Sequence, residues 1–172
     1  VFPRLHPRTF TGFAKSETWD NPILGPIFNI WEIIPIQRGQ PDITALRQGL
    51  KVLEAGNILV ITPEGTRSGD GRLQQGHPGV AMVALHSGAP IMPLVYYGNE
   101  TFYQNVRHLR RTDFSVRVGK PFQVVTRGKV TTEMRRQITD EIMYQMARLL
   151  PPQNRGFYSD LSGASSHYLR LN

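Results

Sequence analysis

No cysteine occurs among the 172 residues. Disulfides, a thiolate nucleophile and any cysteine-ligated metal are therefore excluded, while the redox compartment stays open. The five histidines are scattered, with no pair at ligand spacing, so no metal site is expected. Long apolar runs are also missing. None approaches the ~20 residues that a membrane-spanning helix needs. Acids are scarce beside bases, 13 against 20, which gives a net charge of +7 and a pI near 10.1. That balance favours anionic partners such as nucleic acid, acidic lipid surfaces or phosphorylated substrates, and mere solubility accounts for it equally well. Internal repeats, a domain linker and a signal-peptide pattern are absent. The chain opens on Val1, and a segment upstream is expected. What remains is ordinary for one globular domain with a sizeable core: 40% hydrophobic, 19% charged and a mean hydropathy of −0.31.

The chain is organised around Asn57–Ser68. Ile58-Leu59-Val60-Ile61 is short and all apolar, and reads as a strand buried on both faces. It stops at Pro63, and Glu64-Gly65-Thr66-Arg67-Ser68 follows at once. In open α/β sheets ligands bind beyond the carboxyl ends of strands. These five residues offer an acid, a fixed cation, two hydroxyls and a glycine that lets a ligand approach the backbone.

Around that stretch the patterning predicts alternating strands and helices. Thr9–Ala14 reads as a strand ending at Lys15, with Ser16 as the cap of a helix whose first turn holds Glu17. Residues 19–31 are apolar but broken by Pro22, Gly25 and Pro26, which suits one or two short surface helices. Ile33–Ile36 is a strand, and Pro35 argues for an edge position or a bulge. Asp42 caps a helix with the stripe Ile43, Leu46, Leu50 and Leu53, stopped by Gly56. Gly69–Gly76 is expected to be exposed and mobile. Gly79–Ser87 reads as a helix ended by Gly88, and Ile91–Tyr97 as a buried strand interrupted by Pro93. Asn99–Thr112 is basic and irregular. Phe114–Val118 and Phe122–Val125 are short strands. Thr131 or Thr132 caps a final helix to about Leu150, with Met134, Ile138, Ile142, Met146 and Leu149 on its buried face. The tail after Gln153 is polar, loosely packed or docked on the surface. Short connections between these elements imply an α/β fold, a mostly parallel central sheet flanked by helices in a single domain.

The strand ends bring chemistry together. Lys15 follows the first strand, Arg38 the second and Glu64–Ser68 the third. If the strands are neighbours, Lys15, Arg38 and Arg67 converge on one edge, where a phosphate dianion is the natural guest. Arginine offers a planar fork to two phosphate oxygens and lysine a compact charge. Glu64 then orients Arg67 or accepts from a substrate hydroxyl. Each feature has a plainer reading: Lys15 alone is a solvated charge, and Glu64 with Arg67 an ion pair across a turn.

These residues resemble a family. Val60–Ser68 is similar to the phosphate-binding block of the glycerolipid acyltransferases, the 1-acylglycerol-3-phosphate acyltransferase (PlsC-like) family, whose string is close to F-P-E-G-T-R-S. Thr62 stands here for the Phe. Ile33–Arg38 looks like the second block, a strand ending in a substrate-binding Arg, with Gln37 where an Asp is common and Glu32 where a Gly is. Ala89-Pro90-Ile91-Met92-Pro93-Leu94 resembles the fourth block, V-P-I-V-P-V. Phe13–Glu17 resembles the A-K-x-E segment, whose Lys helps to bind phosphate. Four ordered blocks match, from about Thr9 to Phe122.

One departure concerns the reaction itself. The family's N-H-x4-D block, with its catalytic His and orienting Asp, would lie before Phe13, and nothing there fits: His6 is followed five places on by Thr11. A string of the right form occurs at His108–Asp113, after the fourth block, and His108 is read as a surface residue. His77 and His86 are also out of place, and His86 suits an interaction with a helix C-terminus. No catalytic residue is therefore assigned. Residues 1–152 are read as an acyltransferase domain lacking that block, and 153–172 as a C-terminal tail.

The resemblance implies transfer of a fatty acyl group from acyl-CoA or acyl-carrier protein, as co-substrate, to the free hydroxyl of a lysophospholipid, with 1-acyl-glycerol-3-phosphate as the default acceptor. No other cofactor is implied. Lys15, Arg38 and Glu64–Ser68 would hold the acceptor's phosphate, and Pro93 would shape the acceptor pocket. Such substrates imply a membrane surface as partner and a membrane-associated location at the cytoplasmic face. Trp19, Ile23, Leu24, Ile27, Phe28 and Trp31 could meet the bilayer or simply pack in the core. Two rivals remain: a relative that binds phosphorylated glycerolipids without turnover, and a basic module that binds nucleic acid through Arg107–Arg111. The second has little aromatic interleaving and no recognised motif, and no nucleic acid partner is expected.

Overall fold

A computed structural model describes residues 9–37, 42–66, 68–98 and 101–171. The chain divides into two compact units, Val1–Thr62 and Pro63–Asn172. Together they are a mixed α/β structure. Among the described residues, no helix is long and apolar enough to cross a membrane.

The first unit is a three-stranded parallel sheet. Strand β1 (Phe10–Lys15) lies between β2 (Ile34–Ile36) and β3 (Ile58–Val60). β2 is an edge, the position that Pro35 demands because it has no N–H to give to a second neighbour. The register is staggered: β3 pairs with the first half of β1, Gly12 opposite Val60, and β2 with the second half, Lys15 opposite Ile36. β3 is not buried on both faces as its apolar run predicts. It too is an edge, and Val60 is 51% exposed.

Helix α2 (Ile43–Glu54) packs on this sheet. Asp42 caps it, accepting from the Ala45 N–H at 2.9 Å, and Gly56 ends it at φ 79°. The buried positions are Ala45 and Gly49. A Cβ on Gly49 would come within 2.8 Å of Phe13 Cζ and 3.0 Å of Leu59 Cδ2. The helix thus meets the sheet through small residues, and the expected stripe splays beside them: Leu46, Leu50 and Leu53 are half-buried, while Ile43 is exposed.

A 3-10 turn covers Ser16–Asp20, and α1 (Leu24–Ile30) follows. Ser16 does not cap the turn. It is the turn's first residue, and its hydroxyl bonds Glu17 instead. Trp19 donates to Asn29 Oδ1 at 2.8 Å and meets Phe28 edge to face, whereas Ile23 and Trp31 stay exposed. After α1, Glu32 takes φ 50° while its carbonyl accepts from the buried Thr11 hydroxyl at 2.6 Å. A left-handed residue is where glycine is favoured, which is the physical reason for a glycine at this place in the resembling block. Glu32→Gly should leave the fold intact and raise stability by up to about 1 kcal/mol, read from the denaturation midpoint. A loss of stability would show that the Glu32 side chain contributes more than its backbone costs.

In the second unit α3 (Gly79–Ser87) has the expected bounds, with Gly88 at φ 60° closing it. β4 (Leu94–Tyr97) pairs antiparallel with β5 (Ser115–Val118), and β6 (Phe122–Val124) pairs antiparallel with β7 (Leu169–Leu171). The strand expected from Ile91 begins only at Leu94. Ile91 makes a lone bridge to Phe122, and Pro93, without an N–H, separates the two pairings. Residues expected to be irregular contain α4 (Phe102–Arg107).

The long helix α5 (Thr132–Leu149) starts at the Thr131 cap and carries the core. Its buried face centres on Ile138, Thr139, Ile142, Met143 and Ala147, with Met134, Met146 and Leu149 at the margin. Residues 153–171 are not a loose tail. Tyr158 and Leu169 are buried, and Tyr158 joins Leu73, Val95, Met143, Ala147 and Leu150 in one apolar cluster.

Candidate functional site

In the first unit the parallel register brings the carboxyl ends of β1 and β2 side by side. A groove of about 540 Å3 opens there, between Ser16, Pro35–Gln37 and the first turn of α2 from Asp42 to Thr44. Asp42 organises this edge. While capping α2 through Oδ1, it also accepts from the Gln37 N–H through Oδ2 at 3.4 Å. Lys15, immediately before Ser16, pairs with Glu17 at 2.8 Å, both partly exposed. The bond from Lys15 holds the Glu17 carboxyl below the usual range. An anion that reached Lys15 would compete with that carboxylate. Arg38 lies outside the described residues.

In the second unit the chain leaving β3 turns through Pro63–Thr66. Gly65 sits at φ 64°, and a Cβ there would come within 3.0 Å of His77 Cδ2. The glycine is required by the turn and by this ring as well as by any ligand's approach. The Pro63 carbonyl accepts from the His77 N–H at 2.8 Å, and Glu64 Oε2 accepts from the Gln74 N–H at 2.9 Å. Thr66 is exposed and Ser68 half-buried. Arg67 lies outside the described residues. Glu64 thus shapes the loop, the described partner of its carboxylate being a backbone amide.

Partial burial raises the Glu64 pKa, against the opposing bond from Gln74. A raised carboxyl favours folding most below the unfolded value, and the contribution falls away as pH rises through the folded one. Glu64→Gln keeps an acceptor for Gln74 and should flatten this component of the pH–stability profile above pH 4.5. Parallel profiles for the two proteins would remove Glu64 as the titrating group.

Residues 69–76 are pinned rather than mobile. Leu73 is buried; its N–H donates to Asn154 and its carbonyl accepts from Phe157. Asn154 Nδ2 donates to the Gly71 carbonyl, and the Gly76 N–H donates to the Tyr158 hydroxyl. Tyr158 in turn donates to Asp140 at 2.8 Å. Burial first, and then the Asp140 carboxylate, push the Tyr158 pKa far up, so it stays a neutral donor. Sequence patterning missed these supports and the role of His77. The available signal was Phe157, Tyr158, Leu161 and Leu169, too apolar for a free tail.

Pro93 is buried, its carbonyl accepting from Gly119 at 2.9 Å. It borders a cavity of about 230 Å3 with Gly119, Lys120, Gln145 and Arg148, and no described residue of 63–68 lines it. The His108–Asp113 string forms no dyad. Asp113 pairs with Arg111 Nε at 2.7 Å, and His108 is an exposed residue at the end of α4. His108→Ala should leave any acyl transfer by a protein containing this chain within about twofold of its parent; abolished turnover with the fold retained would restore His108 as a base. His86 Nδ1 lies 2.8 Å from the Met82 carbonyl, within its own helix.

An Acyltransferase family model matches residues 1–97. The chain is 37% identical over 97 residues to a 1-acyl-sn-glycerol-3-phosphate acyltransferase of Limnanthes alba, covering 55% of this chain and 34% of the relative. It is 31% identical over 86 residues to the enzyme of that name from Bacillus subtilis, covering 49% and 42%. With that of Streptococcus pneumoniae it shares 27% over 145 residues, 83% and 52%. The chain spans about a third of the length of the plant relatives. Its fold is similar to a crystal structure of the 1-acyl-sn-glycerophosphate (LPA) acyltransferase PlsC from Thermotoga maritima, with a TM-score of 0.54 at 23% identity, covering 78% of this chain and 54% of that one.

Proposed function

Because the chain belongs to the Acyltransferase family, we propose that it carries the acceptor-phosphate site of a 1-acylglycerol-3-phosphate acyltransferase. The observation that supports this most is the Pro63–Ser68 string at the end of a parallel strand, turned at a left-handed Gly65 and braced by Glu64 and His77. In the Pro63–Ser68 loop Arg67 offers a planar fork to phosphate oxygens, with Thr66 and Ser68 as hydroxyl donors; in the first unit Arg38 offers a second fork and Lys15 a point charge. Gripping the phosphate fixes the acceptor's free hydroxyl for attack, and positioning of this kind supplies a large share of the barrier reduction.

The reaction is acyl transfer to oxygen. A general base takes the hydroxyl proton, the oxygen attacks the thioester carbonyl of acyl-CoA or acyl-carrier protein, and the thiolate leaves and recovers a proton. Residues 9–171 hold the acceptor, and the base is not His77, His86 or His108. The product is a diacylated phosphoglycerol, which places the reaction in phospholipid synthesis. Both lipids partition into bilayers, so the protein works at a membrane surface on the cytoplasmic side. Ile23 and Trp31 around α1, 71% and 62% exposed, support contact there.

Titration calorimetry of the 172-residue protein tests the reading. A 1-acyl-glycerol-3-phosphate, dispersed as monomer, should bind at least tenfold tighter than the matching uncharged monoacylglycerol. Equal affinities would overturn the phosphate site. The same protein mixed with acyl-CoA and acceptor should release no thiol above the buffer rate, and turnover would put the base among its own residues.

A further inference from the structure

The segment from Phe102 to Phe114 holds apolar side chains and cations out in solvent. Helix α4 ends in a doubly bonded turn: the Leu109 N–H donates to the Val106 carbonyl at 3.1 Å and the Arg110 N–H to the Asn105 carbonyl at 2.8 Å. This pattern closes a helix through one left-handed residue, a place that glycine usually fills. Leu109 fills it here at φ 51°, with 96% of its surface exposed. Neither the backbone strain nor the solvated leucine helps the chain to fold. Asn105 locks the arrangement from beneath, its Nδ2 donating to Thr101 Oγ1 at 3.1 Å and Thr112 Oγ1 at 3.0 Å.

Apolar neighbours extend the tip. Phe102 and Val106, one helical turn apart, are about half exposed, and Phe114 is 63% exposed. Cations are interleaved with them. Arg107, Arg110 and Arg111 are all exposed, and of these three only Arg111 has an acidic partner among the described residues, Asp113.

We propose that this Leu109 knuckle is a membrane-insertion surface, its apolar tip entering the headgroup boundary while Arg107 and Arg110 meet anionic lipid headgroups. Apolar tips flanked by basic residues are what binding at that boundary requires. A nucleic acid surface presents planar groups for stacking; Phe102 and Phe114 are such groups, but the most exposed side chain of the patch, Leu109, is aliphatic. The choice of a bilayer rests on the lipid substrate proposed above. That reading is tested with a monomeric lysolipid, so the two can fail separately.

The test is co-sedimentation of the 172-residue protein with phosphatidylcholine vesicles, with and without phosphatidylglycerol. Leu109→Gly should keep or raise Tm, because glycine suits the turn, yet lower vesicle partitioning about tenfold. Arg107→Gln with Arg110→Gln should abolish the preference for anionic vesicles, while Arg127→Gln, exposed in the same unit but outside the patch, should leave partitioning unchanged. Undiminished partitioning of Leu109→Gly would overturn the proposal. So would equal losses from Arg127→Gln, the mark of diffuse charge attraction, or an arginine pair whose loss weakens RNA binding and leaves vesicles untouched.

Discussion

Arg67→Ala should lower the affinity for a phosphorylated glycerol by at least about 100-fold while changing the affinity for an uncharged glyceride by less than about threefold. The figure comes from the chemistry of the pair. A guanidinium can give two parallel N–H bonds to a phosphate, each contributing roughly 1.5–3 kcal/mol, and every 1.4 kcal/mol is about tenfold. Lysine at this position should recover only part of the loss, because a point charge cannot reproduce the fork. Lys15→Ala should cost less than Arg67→Ala, since Lys15 already spends its charge on Glu17 at 2.8 Å. Paired titrations with glycerol 3-phosphate and a monoacylglycerol check all three variants. Equal losses for both ligands on Arg67→Ala would mean that the residue supports the loop and not the phosphate.

A chain ending at Pro152 should fail to form the second unit, and Glu141→Ala should weaken it by about 2–5 kcal/mol, within reach of the whole stability of a small domain. Glu141 is 1% exposed in the middle of α5. Its carboxylate accepts from the Ser165 hydroxyl at 2.7 Å and from the His167 and Tyr168 amides at 2.9 Å each. Alanine leaves these part-buried donors without their acceptor and opens a void where the buried side chain was, which together cost more than the bonds contribute when made. Truncation removes more. It takes Tyr158 from the apolar cluster, Asn154 and Phe157 from the Leu73 loop, and β7 from its pairing with β6. Hydrogen exchange of the α5 amides reports both variants, and the near-UV signal of Tyr158 reports Glu141→Ala. Full protection in the truncated chain would show that residues 63–152 carry a sufficient core by themselves.

Much of the fold was legible because its signals are local. Asp42 and Thr131 cap helices by bonding an N–H three residues on, and Gly56 and Gly88 end them by taking a left-handed turn at one position. Such devices act within a few residues, so a string of letters contains them whole. Pro35 placed β2 at an edge for the same reason. The loop Glu64–Ser68 was legible as a candidate site, since residue types after an apolar strand are read without knowing their contacts.

Errors came where a residue's environment is made by distant chain. Ser16 has the letters of a cap but starts the turn itself. An all-apolar β3 suggested burial, yet whether a strand is central or an edge depends on partners elsewhere in the sequence. Loop 69–76 has the glycines of a mobile segment and is held by residues more than eighty positions later, Asn154 and Tyr158. By itself, then, the sequence determined the family and the caps of α2, α3 and α5, all carried by neighbouring residues. Only the tertiary structure decided that the C-terminal segment braces the loop and that Glu64 bonds a backbone amide. Those depend on which distant groups folding brings within 3 Å, and no local pattern encodes that.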